Sequence, residues 1–232
     1  MTRGREFITI PALERIPFLH HGFGTSSWKE KDFKRMEEWP GYRLVHLKQV
    51  HSDVIHIILD FPNATLRGDA LITALPRLVL IIKTADCVPV LLVDKKKRII
   101  AAVHCGWKGT RLRLLENVVS AMEMRFGSLP ADILAALGPS IGASCYEVGE
   151  EVRRAFRANG FPDALFRPIP GRPLKYLFDL REANRLQLRH QGLRDGNIFS
   201  VDICSHCDPR FPSYRRDRAN SGRMLSFIAL SR

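Results

Sequence analysis

The 232-residue chain carries 45% hydrophobic residues, a formal net charge of +12 and five cysteines. This length and hydrophobic content suit a substantial core, and we predict a single domain over residues 1–232. The apolar runs "LVLII" and "VPVLLV" are far shorter than the roughly 20 residues of a membrane-spanning helix, and the opening "MTRGREFITIPALERIPF" has no apolar signal-peptide core, so we expect a cytoplasmic protein without a membrane partner.

The excess of lysine and arginine is spread along the chain. It falls in the runs "KEKDFKR", "KKKR", "RLR", "RR" and "YRRDR", each beside acidic or apolar residues. Specific nucleic-acid binding proteins combine such charge with a recognition helix or an aromatic platform, and the sequence has neither signature. We therefore expect no specific nucleic-acid partner, and interpret the charge as a solvated basic surface or as pockets for phosphorylated small molecules.

Strand patterns dominate the first half of the chain. Residues 41–60 are strand-like, and 69–75, 78–83, 88–94 and 99–104 are short apolar runs bounded by Gly, Pro, Asp or Lys. Such runs are typical of central strands. The last two runs are joined by a basic turn and predict a hairpin.

Helical spacing begins after Gly109. Apolar residues then recur at positions three and four apart, namely Leu115, Val118, Val119, Met122 and Phe126. Gly127 follows as a C-terminal cap. A second helix is predicted over 149–159, and it stops at Gly160.

A third helix is predicted to begin near Asp179. Its carboxylate can cap free backbone N–H groups, and Glu182 completes a capping-box pattern. The runs "NIFSVDI" and "GRMLSFIAL" predict two closing strands. Together these elements predict a mixed α/β protein with candidate site residues at strand ends and in the turns that follow.

Three potential metal ligands lie at the ends of predicted strands. His51 follows "HLKQV", Cys87 follows "TAD" and His104 ends the run "IIAAV". If these strands are neighbours, two imidazoles and a thiolate meet, and this set suits zinc with a fourth position left for water or substrate. Spacing alone also admits the alternative of a small buried cysteine and two hydrogen-bonded histidines.

A second cysteine motif has a weaker signal. Cys204 and Cys207 form a C-x-x-C with His206 between them, but no second ligand pair stands at a suitable spacing. We therefore interpret it as a loop of reduced cysteines. The neighbouring "SYRRDR" suits either a phosphate clamp or a salt-bridged turn.

Seven motifs in chain order, from about residue 44 to the end, resemble those of the laccase-domain family, also called YfiH-like or multicopper polyphenol oxidase-type proteins. They are "LKQVHSD", "GDALIT", "TADCVPVLLVD", "AAVHCGWKGT", "LGPSIGASCYEVGEEV", "FDLREANRLQL" and "FPSYRRDRANSGRM". The resemblance implies a cytoplasmic zinc protein with mixed sheets in an α/β/β/α sandwich, and metal ligands at His51, Cys87 and His104. It also implies a purine nucleoside phosphorylase acting on adenosine, inosine and methylthioadenosine, with adenosine deaminase activity.

The sequence departs from the family pattern in two places. The usual "HAGWRG" is "HCGWKG" here, so Lys108 keeps a positive charge without the bidentate fork of arginine. The N-terminal stretch "HHGFGTSSWKEKDFKRMEEWPGYRLVH" is short and lacks the arginine and paired glycines of the family motif.

Phosphorolysis requires a held anion, a stabilised leaving base and exclusion of water. The residues predicted to serve substrate binding and charge stabilisation are Lys48, Gln49, Lys108, Ser213, Arg215 and Arg216. Deamination by a metal-activated hydroxide needs a carboxylate to move protons, and Asp69 or Asp86 can supply it. The alternative for "AD" before Cys87 is orientation of the thiolate through hydrogen bonds.

Three functions are left open. The first is a zinc-dependent purine nucleoside phosphorylase using inorganic phosphate, and the second is a metal-dependent hydrolase acting on an amide or, as the family resemblance implies, editing peptidoglycan precursors. The third is a basic binding module without enzymatic activity. A copper-dependent phenol oxidase is disfavoured because one His2Cys set cannot supply the many histidine ligands of a multicopper centre. Cu2+ can still enter such a site in vitro, since copper outcompetes zinc at most nitrogen sites. The oligomeric state is left open.

Overall fold

The computed structural model describes residues 6–34 and 41–231; residues 1–5, 35–40 and 232, which fall within the predicted domain, lie outside the described residues. This part of the chain holds fourteen strands. The first seven are β1 (Phe7–Ile8), β2 (Leu19–Gly24), β3 (Arg43–His46), β4 (Ile55–Ile58), β5 (Ala70–Thr73), β6 (Leu78–Thr84) and β7 (Val88–Asp94). The other seven are β8 (Ile99–Cys105), β9 (Ile133–Leu137), β10 (Glu147–Gly149), β11 (Phe166–Pro168), β12 (Lys175–Phe178), β13 (Ile198–Ser200) and β14 (Met224–Leu230).

The same described residues hold seven α-helices. These are α1 (Pro11–Glu14), α2 (Glu30–Phe33), α3 (Trp107–Arg111), α4 (Leu114–Phe126), α5 (Glu150–Ala158), α6 (Leu180–His190) and α7 (Tyr214–Asp217). Within the described ranges, every helix is too short or too polar to cross a lipid bilayer.

Two large sheets and one small sheet organise the strands. The five-stranded sheet has the order β1-β2-β14-β6-β3, the six-stranded sheet β13-β9-β7-β8-β5-β4, and the small sheet β10-β12-β11. The pairs β3–β6, β4–β5 and β9–β13 are parallel, and the other neighbours are antiparallel. Both large sheets are therefore mixed, as predicted.

The central strand β7 shows how the core is divided. All its residues are buried, and alternate side chains point to opposite faces. Val90 and Leu92 pack towards the helices, whereas Leu91 and Val93 pack between the two large sheets. A strand covered on both faces has a continuous apolar sequence, which explains the run "VPVLLV".

Helices cover the outer faces of the two packed sheets. Helix α4 buries Val118 and Met122 against the six-stranded sheet. On the other side, Phe33 of α2 packs edge-to-face on Phe227 of β14 at 5.0 Å between ring centroids. The layers therefore follow the predicted α/β/β/α order, and the prediction of a single mixed α/β domain is confirmed.

The predicted strand over 41–60 is wrong as a single element. The structure divides it into β3 and β4, which belong to different sheets. Between them the backbone turns at His51, whose φ of 59° is incompatible with a continuous strand. The Asp69 carboxylate accepts hydrogen bonds from the backbone N–H groups of His51 and Ser52 in this turn. This tertiary contact overrides the local strand pattern.

The other predicted elements agree well with the structure. The apolar runs became β5 to β8, and Val88 to Asp94 pairs with Ile99 to Cys105 as the predicted hairpin. Gly127 caps α4 with a φ of 66°. The Asp179 carboxylate accepts from the backbone N–H of Glu182 at 2.8 Å, while the Glu182 carboxylate accepts from Arg189 rather than closing a capping box.

Candidate functional site

The β7–β8 hairpin brings two of the predicted ligands together. Its register pairs Pro89 with His104, so Cys87, which precedes β7, lies beside the end of β8. Asp86 has a φ of 80°, a conformation that aspartate tolerates better than most residues. The tight turn at Asp86 thus sets Cys87 against His104.

His51 reaches the same place from the loop between β3 and β4. Backbone N–H groups of His51 and Ser52 donate to the Asp69 carboxylate at 3.0 and 2.6 Å, and the Ser52 hydroxyl donates at 2.8 Å. The Val50 backbone N–H also donates to this carboxylate at 3.3 Å, and His104 Nδ1 lies 2.7 Å from Asp69 Oδ1. Asp69 is fully buried, so one carboxylate fixes both imidazole-bearing segments.

The nitrogen and sulfur donors of His51, Cys87 and His104 lie within 4.8 Å of one another. This set has the borderline-soft character that suits zinc, and it fits a three-ligand site. A hydrogen bond from His104 Nδ1–H to Asp69 leaves the Nε2 lone pair for a metal. Gly106 gives the group its space, because a Cβ there would stand 3.1 Å from the Cys87 sulfur.

Electrostatics within the group favour a thiolate. Burial acts to raise the pKa of Cys87, but the His104 and His51 imidazoles outweigh it and lower that pKa. Burial acts to lower the pKa of His104, but Cys87 and Asp69 raise it. For Asp69, burial is outweighed by the bonds from His104 and Ser52, and the pKa falls to about 2.

A cavity of about 620 Å³ opens in front of these donors, within the size range of small-molecule sites. Its lining combines cationic and aromatic side chains with the three candidate metal ligands. The lining residues are Leu47, Gln49, His51, Lys83, Ala85, Asp86, Cys87, His104, Trp107, Tyr146, Tyr214, Arg215 and Arg223.

Asp86 and Arg215 form a connected part of the cavity wall. Asp86 accepts from the Ser205 hydroxyl at 2.8 Å and from the Arg215 backbone N–H at 2.6 Å. Both terminal nitrogens of Arg215 donate to the Glu147 carbonyl at 2.9 Å, and the guanidinium carbon lies 5.3 Å from the Tyr146 ring centroid. The arginine is thus held in place at the cavity before any ligand arrives.

Gln49 lines the cavity through a different arrangement. Its side-chain amide donates to the Lys83 carbonyl and accepts from the Lys83 backbone N–H, both at 2.8 Å. The Lys83 ammonium pairs with Glu30 at 2.6 Å. The Gln49 side chain therefore pairs with the Lys83 backbone of β6 as a neighbouring strand would, and its amide is engaged within the cavity wall.

Other predicted site residues lie outside the described cavity lining. Lys108 is exposed, with its ammonium 5.8 Å from the Trp107 ring centroid. Lys48 is exposed, and its backbone forms an isolated parallel β-bridge with the backbone of Arg67. Asp69 lies behind His104, where it can orient that imidazole without reaching the cavity.

Ser213 and Arg216 also stand outside the lining residues that the structure describes. Ser213 is buried and caps α7 by accepting from the Arg216 backbone N–H at 3.2 Å. The Arg216 guanidinium pairs with Asp217 and donates to the carbonyls of Ser205, His206 and Phe211. In "SYRRDR" the structure therefore presents Arg215 to the cavity and uses Arg216 to build the loop.

Seven further lining residues were absent from the sequence-based prediction, and five of them carry cationic or aromatic side chains: Lys83, Trp107, Tyr146, Tyr214 and Arg223. Four of these five stand inside motifs that resemble the family, namely "HCGWKG", "CYEVG", "SYRRDR" and "SGRM". Their aromatic or cationic side chains within these motifs were the sequence signal that could have identified them as site residues. Lys83 lies outside the motifs, near the end of an apolar strand, so the sequence did not mark it as a site residue.

Residues 29–231 match the model of a family described as multi-copper polyphenol oxidoreductase laccase. A purine nucleoside phosphorylase from Clostridium acetobutylicum is 38% identical over 85% of this chain and 81% of its own length. Adenosine deaminase RL5, from an unknown prokaryotic organism, is 41% identical over 80% of this chain and 74% of its own. A hypothetical protein YfiH from Bacillus licheniformis superposes with a TM-score of 0.89 at 30% identity, over 100% of this chain and 98% of the other.

Proposed function

Since this chain belongs to the family described as multi-copper polyphenol oxidoreductase laccase, we propose that it is a zinc-dependent purine nucleoside phosphorylase that also deaminates adenosine. The proposed substrates are inorganic phosphate with adenosine, inosine or methylthioadenosine. The observation that carries the proposal is one cavity that combines a His2Cys donor group with arginines and aromatic rings. The names of the relatives support the same assignment.

The two arginines of the cavity are suited to phosphate. Arg215 is preorganised by its bonds to Glu147, and Arg223 is anchored by donating from one terminal nitrogen to Ser221 and Gly222. Guanidinium groups bind phosphate oxygens with charge-assisted, directional hydrogen bonds. We assign phosphate binding to Arg215 and Arg223, since both line the cavity. The exposed Lys48 and Lys108 are assigned a weaker, longer-range electrostatic attraction for phosphate.

The aromatic side chains are suited to the purine. Trp107, Tyr146 and Tyr214 line the cavity together, and a purine ring can stack on any of them. Such contacts tolerate different substituents on the base, which is consistent with broad specificity. The same rings exclude water from the sugar carbon that reacts.

Zinc would be held by His51, Cys87 and His104, and would supply Lewis-acid chemistry to a substrate oxygen or a water. Asp69 keeps the His104 imidazole oriented for this role, and therefore acts as a positioning residue. Copper can replace zinc in such a donor set, so the metal found depends on supply as well as on the site.

In the proposed phosphorolysis, a phosphate oxygen forms a bond to the sugar C1′ as the bond from C1′ to the purine nitrogen breaks. The electron pair goes to the purine, which takes a proton and leaves as the free base, with ribose 1-phosphate as the other product. In deamination, water adds at C6 of adenosine and ammonia leaves, which gives inosine. We assign the proton transfer of the second reaction to Asp86, the carboxylate that lines the cavity.

The test follows adenosine with the zinc-loaded protein in the presence and absence of phosphate. Ribose 1-phosphate and adenine should form only with phosphate, and inosine should form in both. Asp86→Asn should reduce inosine formation more than phosphorolysis. Free ribose released at the same rate with or without phosphate would overturn the proposal in favour of a hydrolase.

A further inference from the structure

Three cysteines form a second cluster away from the cavity donors. Cys145 comes from the loop between β9 and β10, and Cys204 and Cys207 come from the segment between β13 and α7. Their sulfurs lie within 4.8 Å of one another, and the Cys145 and Cys207 sulfurs are 3.3 Å apart. The C-x-x-C therefore has a third member, Cys145, which is 62 positions from Cys207 in the sequence and so is not revealed by local spacing.

The backbone around Cys204 supports an anionic sulfur. The Gly142 N–H lies 3.2 Å from Cys204 Sγ, and the N–H groups of His206 and Cys207 also point to it. A Cβ at Gly142 would stand 3.3 Å from both Cβ and Sγ of Cys204, so a larger residue would require the Cys204 side chain to shift by a few tenths of an ångström. Backbone N–H groups directed at a C-x-x-C sulfur stabilise a thiolate, which is the form that binds metal.

We propose that Cys145, Cys204 and Cys207 bind a zinc ion at a second site, separate from the cavity. Three sulfurs that converge from two separate segments provide the soft donors of zinc–thiolate centres, with the fourth position open to solvent at the exposed Cys207. The cluster uses no histidine and shares no residue with the cavity group. The proposal is thus independent of the proposed function.

The position of the cluster gives the ion a role in holding the cavity wall. Tyr146, a lining residue, follows Cys145 directly, and Ser205, which donates to Asp86, follows Cys204. The two segments also meet through two backbone bonds, from Ser140 N–H to the Ile203 carbonyl at 3.3 Å and from Ser205 N–H to the Ser140 carbonyl at 3.0 Å. Zinc would cross-link the segments that carry these residues without touching the substrate.

A disulfide between Cys145 and Cys207 is the competing use of the same atoms. A disulfide employs two sulfurs, whereas here Cys207 contacts both Cys145 and Cys204. A metal site accounts for all three. The two uses differ in metal content and in the number of free thiols, so one experiment separates them.

The test uses the full chain carrying Cys87→Ala, which removes the thiolate of the cavity group and lets zinc at the cluster be counted separately. After anaerobic loading with zinc and gel filtration, elemental analysis should find about one zinc per chain. Adding Cys207→Ser should lower this at least tenfold. Ser144→Ala, next to Cys145, should leave it unchanged in the same background. Equal zinc with and without Cys207→Ser, or almost none in the Cys87→Ala chain, would overturn the site.

A second measurement needs no variant at the cluster. In the Cys87→Ala chain, denaturation with chelator should release four titratable thiols, the five cysteines less Cys87; two thiols would show a disulfide and refute the metal site. In the unmutated native chain, zinc should slow alkylation of Cys145, Cys204 and Cys207 at least tenfold in peptide mass spectra, and chelator should restore it. Equal alkylation with and without zinc contradicts the proposal.

Discussion

The Nδ1 atom of His104 lies 2.7 Å from Oδ1 of Asp69, and both side chains are buried. The same carboxylate accepts the backbone N–H groups of His51 and Ser52. Asp69, which directly precedes β5, therefore fixes both the orientation of His104 and the conformation of the loop that carries His51.

The variant Asp69→Asn tests this dual role. Asparagine offers one acceptor oxygen, so its NH2 group must face either His104 and the His51 N–H, or the N–H groups of Val50 and Ser52, and the bonds on that side are lost. We expect zinc affinity to fall about 10- to 100-fold and the free energy of unfolding to fall by about 1–3 kcal/mol. Competition titration with a chromophoric chelator and urea unfolding measure the two effects. Asp60→Asn, at an exposed position, is the control, and equal zinc affinity in both variants would contradict the role.

Gly106→Ala tests the space around the donors. The backbone of Gly106 has φ −76° and ψ 164°, which alanine adopts without strain. Its Cβ would stand 3.0 Å from the His51 ring and 3.1 Å from the Cys87 sulfur, so the ligands must move apart. We expect about a tenfold loss of zinc affinity with a change in unfolding free energy below about 1 kcal/mol.

The matched control is Gly196→Ala, because a Cβ at Gly196 meets no atom within 4 Å. Its zinc affinity should equal that of the unmutated chain. If Gly106→Ala also binds zinc normally, the donor group tolerates displacement and the cavity geometry does not limit metal binding.

The sequence predicted that Cys87 and His104 lie close together, because the signals for this arrangement are local. Cys87 and His104 flank two apolar runs joined by a short basic turn, so the register of one hairpin brings them together. The Gly127 and Asp179 caps are equally local. His51 was less predictable in its placement, since its loop conformation depends on Asp69, a partner that the sequence pattern does not reveal.

Non-local contacts account for the remaining differences. Whether an arginine of "SYRRDR" faces a ligand or a carbonyl depends on which way α7 turns, and the sequence does not distinguish Arg215 from Arg216. The strand β9 was missed because "ILAAL" is equally suited to a helix. Cys145 became a partner of the C-x-x-C only through the folding of two distant loops.

His21 makes stability depend on pH away from the site. Burial lowers its pKa to about 4, despite the opposing charge of Glu14, and its Nε2 accepts the Ile10 backbone N–H at 2.8 Å. The folded state therefore keeps His21 neutral, whereas the unfolded chain protonates it below about pH 6.5. The stability contributed by the neutral form is present above about pH 6.5 and is lost as the pH falls towards 4, by at most about 3 kcal/mol.

The variant His21→Gln isolates this contribution. A glutamine oxygen can accept the same N–H and does not titrate, so the free energy of unfolding should fall less between about pH 6.5 and about pH 4.5 than in the unmutated chain. Urea unfolding at several pH values measures the difference. Parallel pH profiles for the two proteins would show that His21 is not the responsible group.

Arg215 should govern phosphate more strongly than Lys108, because it lines the cavity and Lys108 does not. Arg215→Lys keeps the charge but loses the planar fork, which binds phosphate through directed hydrogen bonds and also holds the Glu147 carbonyl. We expect the phosphate concentration for half-maximal phosphorolysis to rise about 10- to 100-fold, equivalent to roughly 1.5–3 kcal/mol, with a smaller rise for adenosine. Lys108→Ala should raise this phosphate concentration less than about threefold, since an exposed ammonium gives only a screened attraction.

Arg167→Lys, an exposed substitution on β11, controls for the general effect of replacing an arginine by lysine. Initial rates at varied phosphate and fixed adenosine, then the reverse, separate the two half-saturation values. If Lys108→Ala weakens phosphate more than Arg215→Lys does, the anion binds near α3 and the assignment to Arg215 is wrong.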